Sequence, residues 1–207
     1  VTSLGGVPLY IDDWKIDLAY SCSQKGLSCP PGLGPFTMGP RAEAKMEARS
    51  GKVPNWYLDV SLLNKYWGSD RVYHHTAPVN MNFGMREALR LLAEEGLDQA
   101  WARHRSNAEA LWSGLEDLGL TMHVPYERRL PTLTTVRIPD GVDGKAFSQH
   151  LLNSHGIEVG GGLGSLAGKI WRIGLMGFNS TPENVNRLLN IFELELPKFS
   201  GSTAAAA

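Results

Sequence analysis

Apolar and polar positions change their rhythm several times along the chain, and each change predicts a different element. Residues 7–11 (VPLYI) and 16–21 (IDLAYS) are short apolar runs divided by an Asp-Asp-Trp-Lys turn, a pattern that suits buried strands of a parallel or mixed sheet. A Pro/Gly loop at 29–35 (CPPGLGP) leads to a returning strand at 36–38 and a helix over 41–49. Residues 57–67 form a short helix, and 71–80 (RVYHHTAPVN) stay irregular because Pro78 biases Ala77 away from helical backbone. From Phe83 the period becomes 3.6. Met85, Leu89, Leu92 and Ala93 share one helical face, and Leu97, Trp101, Ala108, Leu111, Leu115 and Leu118 continue along a second helix beyond Gly96.

The last third alternates strands at 122–124, 132–138, 157–159 and 170–175 with helices over 143–155 and 181–196. The final helix opens on Thr181-Pro-Glu-Asn, where a hydroxyl caps, proline fits the first turn and glutamate meets the positive end of the dipole. The whole reads as an α/β fold with a boundary near Glu95. An incomplete α/β segment fills 1–95, a small α/β domain fills 96–199, and 200–207 is a frayed tail.

Composition narrows the function classes. The chain has 207 residues, 43% of them hydrophobic, with 20 Lys+Arg against 21 Asp+Glu. That is a globular composition able to bury a core, with no surplus positive charge for nucleic acid. No apolar run is long enough to cross a membrane. Two cysteines, Cys22 and Cys29, lack the further ligands of a zinc site and read as free thiols of a reducing, cytoplasmic setting, although their spacing leaves a disulfide open. The opening VTSLGGVPLY, without an initiating methionine, reads as the continuation of an upstream region.

Three places carry candidate chemistry. Lys25 closes Tyr20-Ser-Cys-Ser-Gln-Lys at the end of a strand, beside Gly26 and the Pro/Gly loop. Partial desolvation there favours the neutral amine, while a lysine simply pointing into water is the plain alternative. Arg172 interrupts the apolar run Ile-Trp-Arg-Ile-Gly-Leu, where a guanidinium is costly unless it meets an anion. That anion is either a substrate carboxylate held bidentately or an internal glutamate. Gly160, Gly161, Gly162 and Gly164 form no nucleotide loop, since no phosphate-loop lysine follows. They read as a turn that lets backbone approach a substrate, or as a purely structural turn. His74 and His75 are discounted as metal ligands because neighbours in an extended segment point opposite ways and no third ligand is near in sequence.

The segments LGGVPLYIDDWKIDLAYSCSQKGL, PPGLGPF, VYHHTAP, LPTLTTVRIPDG, IEVGGGLG and GKIWRIGLMGFNS, in this order from Val1 to about Leu196, resemble the alanine-glyoxylate and serine-glyoxylate aminotransferases. These are class V aminotransferases of pyridoxal-phosphate fold type I. The resemblance implies the C-terminal part of the large cofactor domain followed by a complete small α/β domain. It implies that Lys25 carries pyridoxal 5'-phosphate and moves a proton at the substrate, with Gln24 donating to the cofactor phosphate. It implies that Tyr73 and Thr76 reach the phosphate held by the other subunit of a homodimer, that Arg172 grips the carboxylate of amino-acid and 2-oxo-acid substrates, and that Gly161 lies against them. It implies no metal.

The aspartate for the pyridine nitrogen, the stacking aromatic and the remaining phosphate donors of that family have no counterpart after Val1; Asp12, Asp13 and Asp17 do not occupy their place. A companion chain or segment is therefore expected. Rival readings are another class V activity, such as 3-hydroxykynurenine transamination or cysteine desulfuration, and a non-catalytic dimerisation fragment.

Overall fold

A computed structural model describes residues 1–201. The elements in order are β1 (Leu18–Tyr20), β2 (Phe36–Met38), α1 (Pro40–Glu47), α2 (Val60–Trp67), α3 (Val79–Glu95), α4 (Leu97–Asp117), β3 (Leu133–Arg137), α5 (Gly144–His155), β4 (Gly160–Gly161), β5 (Ile170–Gly174) and α6 (Pro182–Glu195). They make an α/β fold with two small sheets, β1-β2 and β3-β5-β4. Both sheets are antiparallel throughout, so the expected parallel or mixed pairing is absent among the described residues.

The core lies in the last hundred residues. Leu111, Trp112 and Leu115 of α4, Phe147 and Leu151 of α5, Trp171 and Ile173 of β5, and Phe192 of α6 form one buried cluster. The 3.6-residue stripe of α4 meets the inward face of β5 there, as amphipathic patterning requires. Its two indoles are paired: Trp112 Nε1 donates to Thr134 Oγ1 at 2.8 Å, and Trp171 Nε1 donates to Gly144 O at 3.0 Å. Helix ends follow local chemistry. Asp143 caps α5 through a bond from Ala146 N, Thr181 caps α6 through a bond from Asn184 N, and Gly156 ends α5 in the left-handed region.

Three expectations fail for local reasons. Residues 7–11 form no strand: Pro8 has no N–H to give, and Trp14 N and Ile16 N bond back to Tyr10 O and Ile11 O in a tight turn. Residues 157–159 are spent turning off α5, where Ile157 N bonds Leu151 O, and pairing begins only at Gly160. Residues 122–124 reduce to one bridge, Met122 to Val136. The stripe of α3 is also only partly covered: no residue of α3 is buried, Leu89 is about half exposed, and Met85 and Leu92 are half-buried. The apolar side chains Leu18, Tyr20 and Phe36 of the first sheet are likewise exposed. Of the tail, Ser200 bridges to Val142 and Gly201 N bonds Gly141 O; residues 202–207 lie outside the described residues. No helix among the described residues is long and apolar enough to cross a membrane.

Candidate active site

After β1 the chain makes a closed loop that presents Lys25 at its tip. Ser23, fully buried, staples that loop: its hydroxyl donates to Pro30 O at 2.6 Å, Leu33 N donates to it at 3.3 Å, and its carbonyl accepts from Cys29 N. Ser28 N then bonds Lys25 O, and Ser28 takes φ +58. The Gly26 position admits no side chain, since a Cβ would lie 2.2 Å from Leu4 O. Lys25 is half-buried and Gln24 exposed. Cys22 and Cys29 are both free thiols.

A second turn faces this loop. Gly177 has φ +58, and Phe178 N donates to Ser28 Oγ at 2.7 Å. Three side chains of α4 hold that turn from beneath. Arg103 Nη1 donates to Gly177 O and Ser180 O at 2.9 and 2.8 Å, Asn107 Nδ2 donates to Ser180 O at 2.8 Å, and His104 Nε2 accepts from Gly177 N at 2.8 Å. The other His104 nitrogen, Nδ1, faces Ala100 O at 2.6 Å and so must carry the proton. Burial foremost, then the Arg103 charge, lowers the pKa of His104, against the opposing pull of the Ala100 carbonyl and Glu95. Glu95, paired with Arg103 through Oε2 at 2.8 Å, is held below the ordinary carboxylate range by that guanidinium.

Between the two turns opens a cavity of about 420 Å³, lined by Gln24, Lys25 and Pro30 on one side and by Gly174, Met176 and Asn179 on the other. No acidic side chain lines it. Residues two apart on a strand share a face, so Arg172 lies on the same face of β5 as the cavity-lining Gly174, roughly 7 Å along the strand. The opposite face carries the buried Trp171 and Ile173. Arg172 Nε donates to Gly161 O at 2.7 Å across the β4–β5 pair. Gly160, opposite Arg172 in register, leaves room for the guanidinium, which lies 3.3 Å from where its Cβ would stand. Among the described residues Arg172 forms no salt bridge, so an internal glutamate partner is not what holds it.

Residues 1–188 match the family described as Aminotransferase class-V. The chain belongs to the class V aminotransferases. It is 46% identical over 192 residues to an alanine-glyoxylate aminotransferase of Oryctolagus cuniculus, a stretch covering 91% of this chain and 49% of that protein. The crystal structure of an alanine-glyoxylate aminotransferase from Nostoc sp. superposes with TM-score 0.91 at 65% identity, over 93% of this chain and 51% of that one. A ureidoglycine-glyoxylate aminotransferase from Bacillus subtilis superposes with TM-score 0.92 at 39% identity, over 95% and 51%. The fold is that of the fold-type-I aminotransferases, and the chain spans about half the length of the relatives it matches.

Not every expected site residue gathers in the cavity of this class V chain. Lys25 and Gln24 line it, while Arg172 and Gly161 sit beside it. Tyr73 and Thr76 meet each other, Oη to Oγ1 at 3.1 Å, on an exposed loop that does not line the cavity. The expectation that His74 and His75 point opposite ways fails: their Nδ1 atoms lie 2.9 Å apart, and His74 stacks on Trp56 at 4.1 Å. The sequence reading missed the α4 clamp. Its signal was His104 at spacings of four, seven and eleven from Ala108, Leu111 and Leu115, a polar residue on the buried stripe.

Proposed function

We propose that this chain is the lysine-bearing part of a pyridoxal-phosphate-dependent aminotransferase that moves the amino group of alanine or serine to glyoxylate. The observation that carries the reading is the pairing of one amine and one guanidinium on an acid-free cavity: Lys25 within it and Arg172 beside it on the same strand face. Glyoxylate as acceptor is supported by relatives from two subgroups, whose names share it while their donors differ. Neither 3-hydroxykynurenine transamination nor desulfuration has comparable support, since a cysteine desulfurase superposes at only 16% identity. Residues 1–95 are assigned to the cofactor domain and 96–199 to the small domain, in a reducing, cytoplasmic setting consistent with the two free thiols.

The residues present fit the cofactor, since Lys25 enters no ion pair among the described residues and faces a cavity without competing carboxylates. Bound there, pyridoxal phosphate supplies the electron sink for charge developing at the substrate Cα. The Lys25 Nζ would hold it and, as a free amine beside the substrate, would carry the proton away from Cα. Gln24 donates to its phosphate. Arg172 fixes the substrate carboxylate bidentately, with Gly161 fixing the guanidinium through its carbonyl. Tyr73 and Thr76, paired and outward, clasp the phosphate of a second copy in a homodimer. A companion segment supplies the partners of the pyridine ring.

Glycine formation from glyoxylate with alanine or serine as donor tests this. Lys25→Ala abolishes turnover. Arg172→Ala, losing about 3 kcal/mol from two charge-assisted bonds, lowers kcat/KM about 100-fold. Turnover that survives Lys25→Ala would remove the proposal.

A further inference from the structure

Away from the cavity, the ends of α5 and α6 bring three metal-ligating side chains together: His150, His155 and Glu195. His150 Nε2 lies 2.7 Å from Glu195 Oε2, and His155 Nε2 lies 3.8 Å from Glu195 Oε1. The cluster is built into the surface rather than scattered over it, since the glutamate side chain is only 13% exposed and the histidines 30% and 26%. Phe199 packs 5.2 Å from the His150 ring and covers one side.

We propose that His150, His155 and Glu195 form a three-ligand site for a zinc-class divalent cation that clamps the end of α5 to the end of α6. Four lines of geometry lead there. Both imidazoles turn the same nitrogen, Nε2, toward one carboxylate, leaving Nδ1 for outer contacts. His150 Nδ1 already has one, Ser154 Oγ at 3.2 Å, the outer-sphere arrangement that fixes a ligating ring. The ligand set, two nitrogens and one carboxylate with a fourth position open to water, is one that zinc accepts. Finally, metal–ligand bonds of about 2.0–2.1 Å in a tetrahedron put ligand atoms about 3.3 Å apart. The histidines approach different oxygens of Glu195, Oε2 at 2.7 Å and Oε1 at 3.8 Å, and one ligand atom from each residue lies within 4.8 Å of the others, close enough to gather on one ion. Rotation of these partly exposed side chains would complete the set.

A competitor is present. Lys198 Nζ lies 2.8 Å from Glu195 Oε1, but its side chain is 61% exposed and can swing into solvent. Lysine therefore occupies the carboxylate oxygen that the cation would take, and the two exclude each other.

Zn²⁺ titration of the full chain against a chromophoric chelator, with Co²⁺ absorbance reporting coordination, tests the site. One equivalent is expected to bind, with the visible bands of tetrahedral Co²⁺. Glu195→Gln, His150→Ala and His155→Ala each weaken binding about tenfold or more, and Lys198→Ala strengthens it. His74→Ala leaves it unchanged, which separates this site from the other histidine pair. Absence of stoichiometric binding at millimolar zinc, or binding that persists in both His150→Ala and His155→Ala, overturns the proposal.

Discussion

Replacing His104 should loosen the turn that carries one wall of the cavity, and the size of the effect follows from its contacts. The ring is fully buried, donates to Ala100 O and accepts from Gly177 N. His104→Ala leaves a void worth about 2 kcal/mol and orphans the Gly177 N–H for about 1–3 kcal/mol more, so the loss is about 3–5 kcal/mol. The pH dependence has a definite sign. Burial lowers the His104 pKa in the folded state, whereas the unfolded chain titrates near the ordinary value of about 6.5. Below that value the unfolded chain takes up a proton that the native state refuses, so the contribution is complete above about pH 6.5 and is lost as pH falls beneath it. The slope approaches about 1.4 kcal/mol per pH unit until the folded-state pKa is reached. Protonated Nε2 would also set one N–H against another at Gly177. Urea unfolding of wild type and His104→Ala should therefore show the wild type losing more stability than the variant as pH falls from about 6.5 to about 5.5, by at most about 1 kcal/mol. Glu95, held low by Arg103, titrates below this window. Parallel pH profiles, or a variant within about 0.5 kcal/mol of wild type, would refute the clamp.

Gly177→Ala places a Cβ 1.8 Å from Ser28 Oγ at φ +58, which should cost about 2–4 kcal/mol and lower turnover by moving the Phe178–Ser28 contact; denaturant midpoints and kcat measure both. Thr134→Val leaves the buried Trp112 indole N–H without its acceptor, a loss of about 1–3 kcal/mol in the same unfolding assay.

How much was legible depends on where each segment finds its partners. Helices α4, α5 and α6 and strands β3 and β5 pack against one another, so their periodicity, caps and burial agree, and their sequence predicts them well. The stripe of α3 and the apolar strands of the first sheet carry the same signals but contain no buried residue; periodicity reveals which face wants burial, not what covers it. Residues 7–11 show the limit of a composition-based strand, because backbone hydrogen bonding within the Tyr10–Ile16 turn outcompeted apolar character. In the candidate site, Arg172 stood out because a cation in an apolar run is conspicuous, and Lys25 because it follows a strand in a segment that resembles a known family. His104 did not, because its role depends on Gly177, 73 residues away, and no local pattern links them. The His150–His155–Glu195 cluster was hidden for the same reason, since Glu195 lies 45 positions beyond His150.

The most direct test of the whole proposal is the covalent state of Lys25. The protein, incubated with pyridoxal phosphate and reduced with borohydride, should carry one phosphopyridoxyl group, found on the peptide containing Ser23-Gln24-Lys25-Gly26 and absent in Lys25→Ala. A label on another lysine, or one that persists in Lys25→Ala, would contradict it.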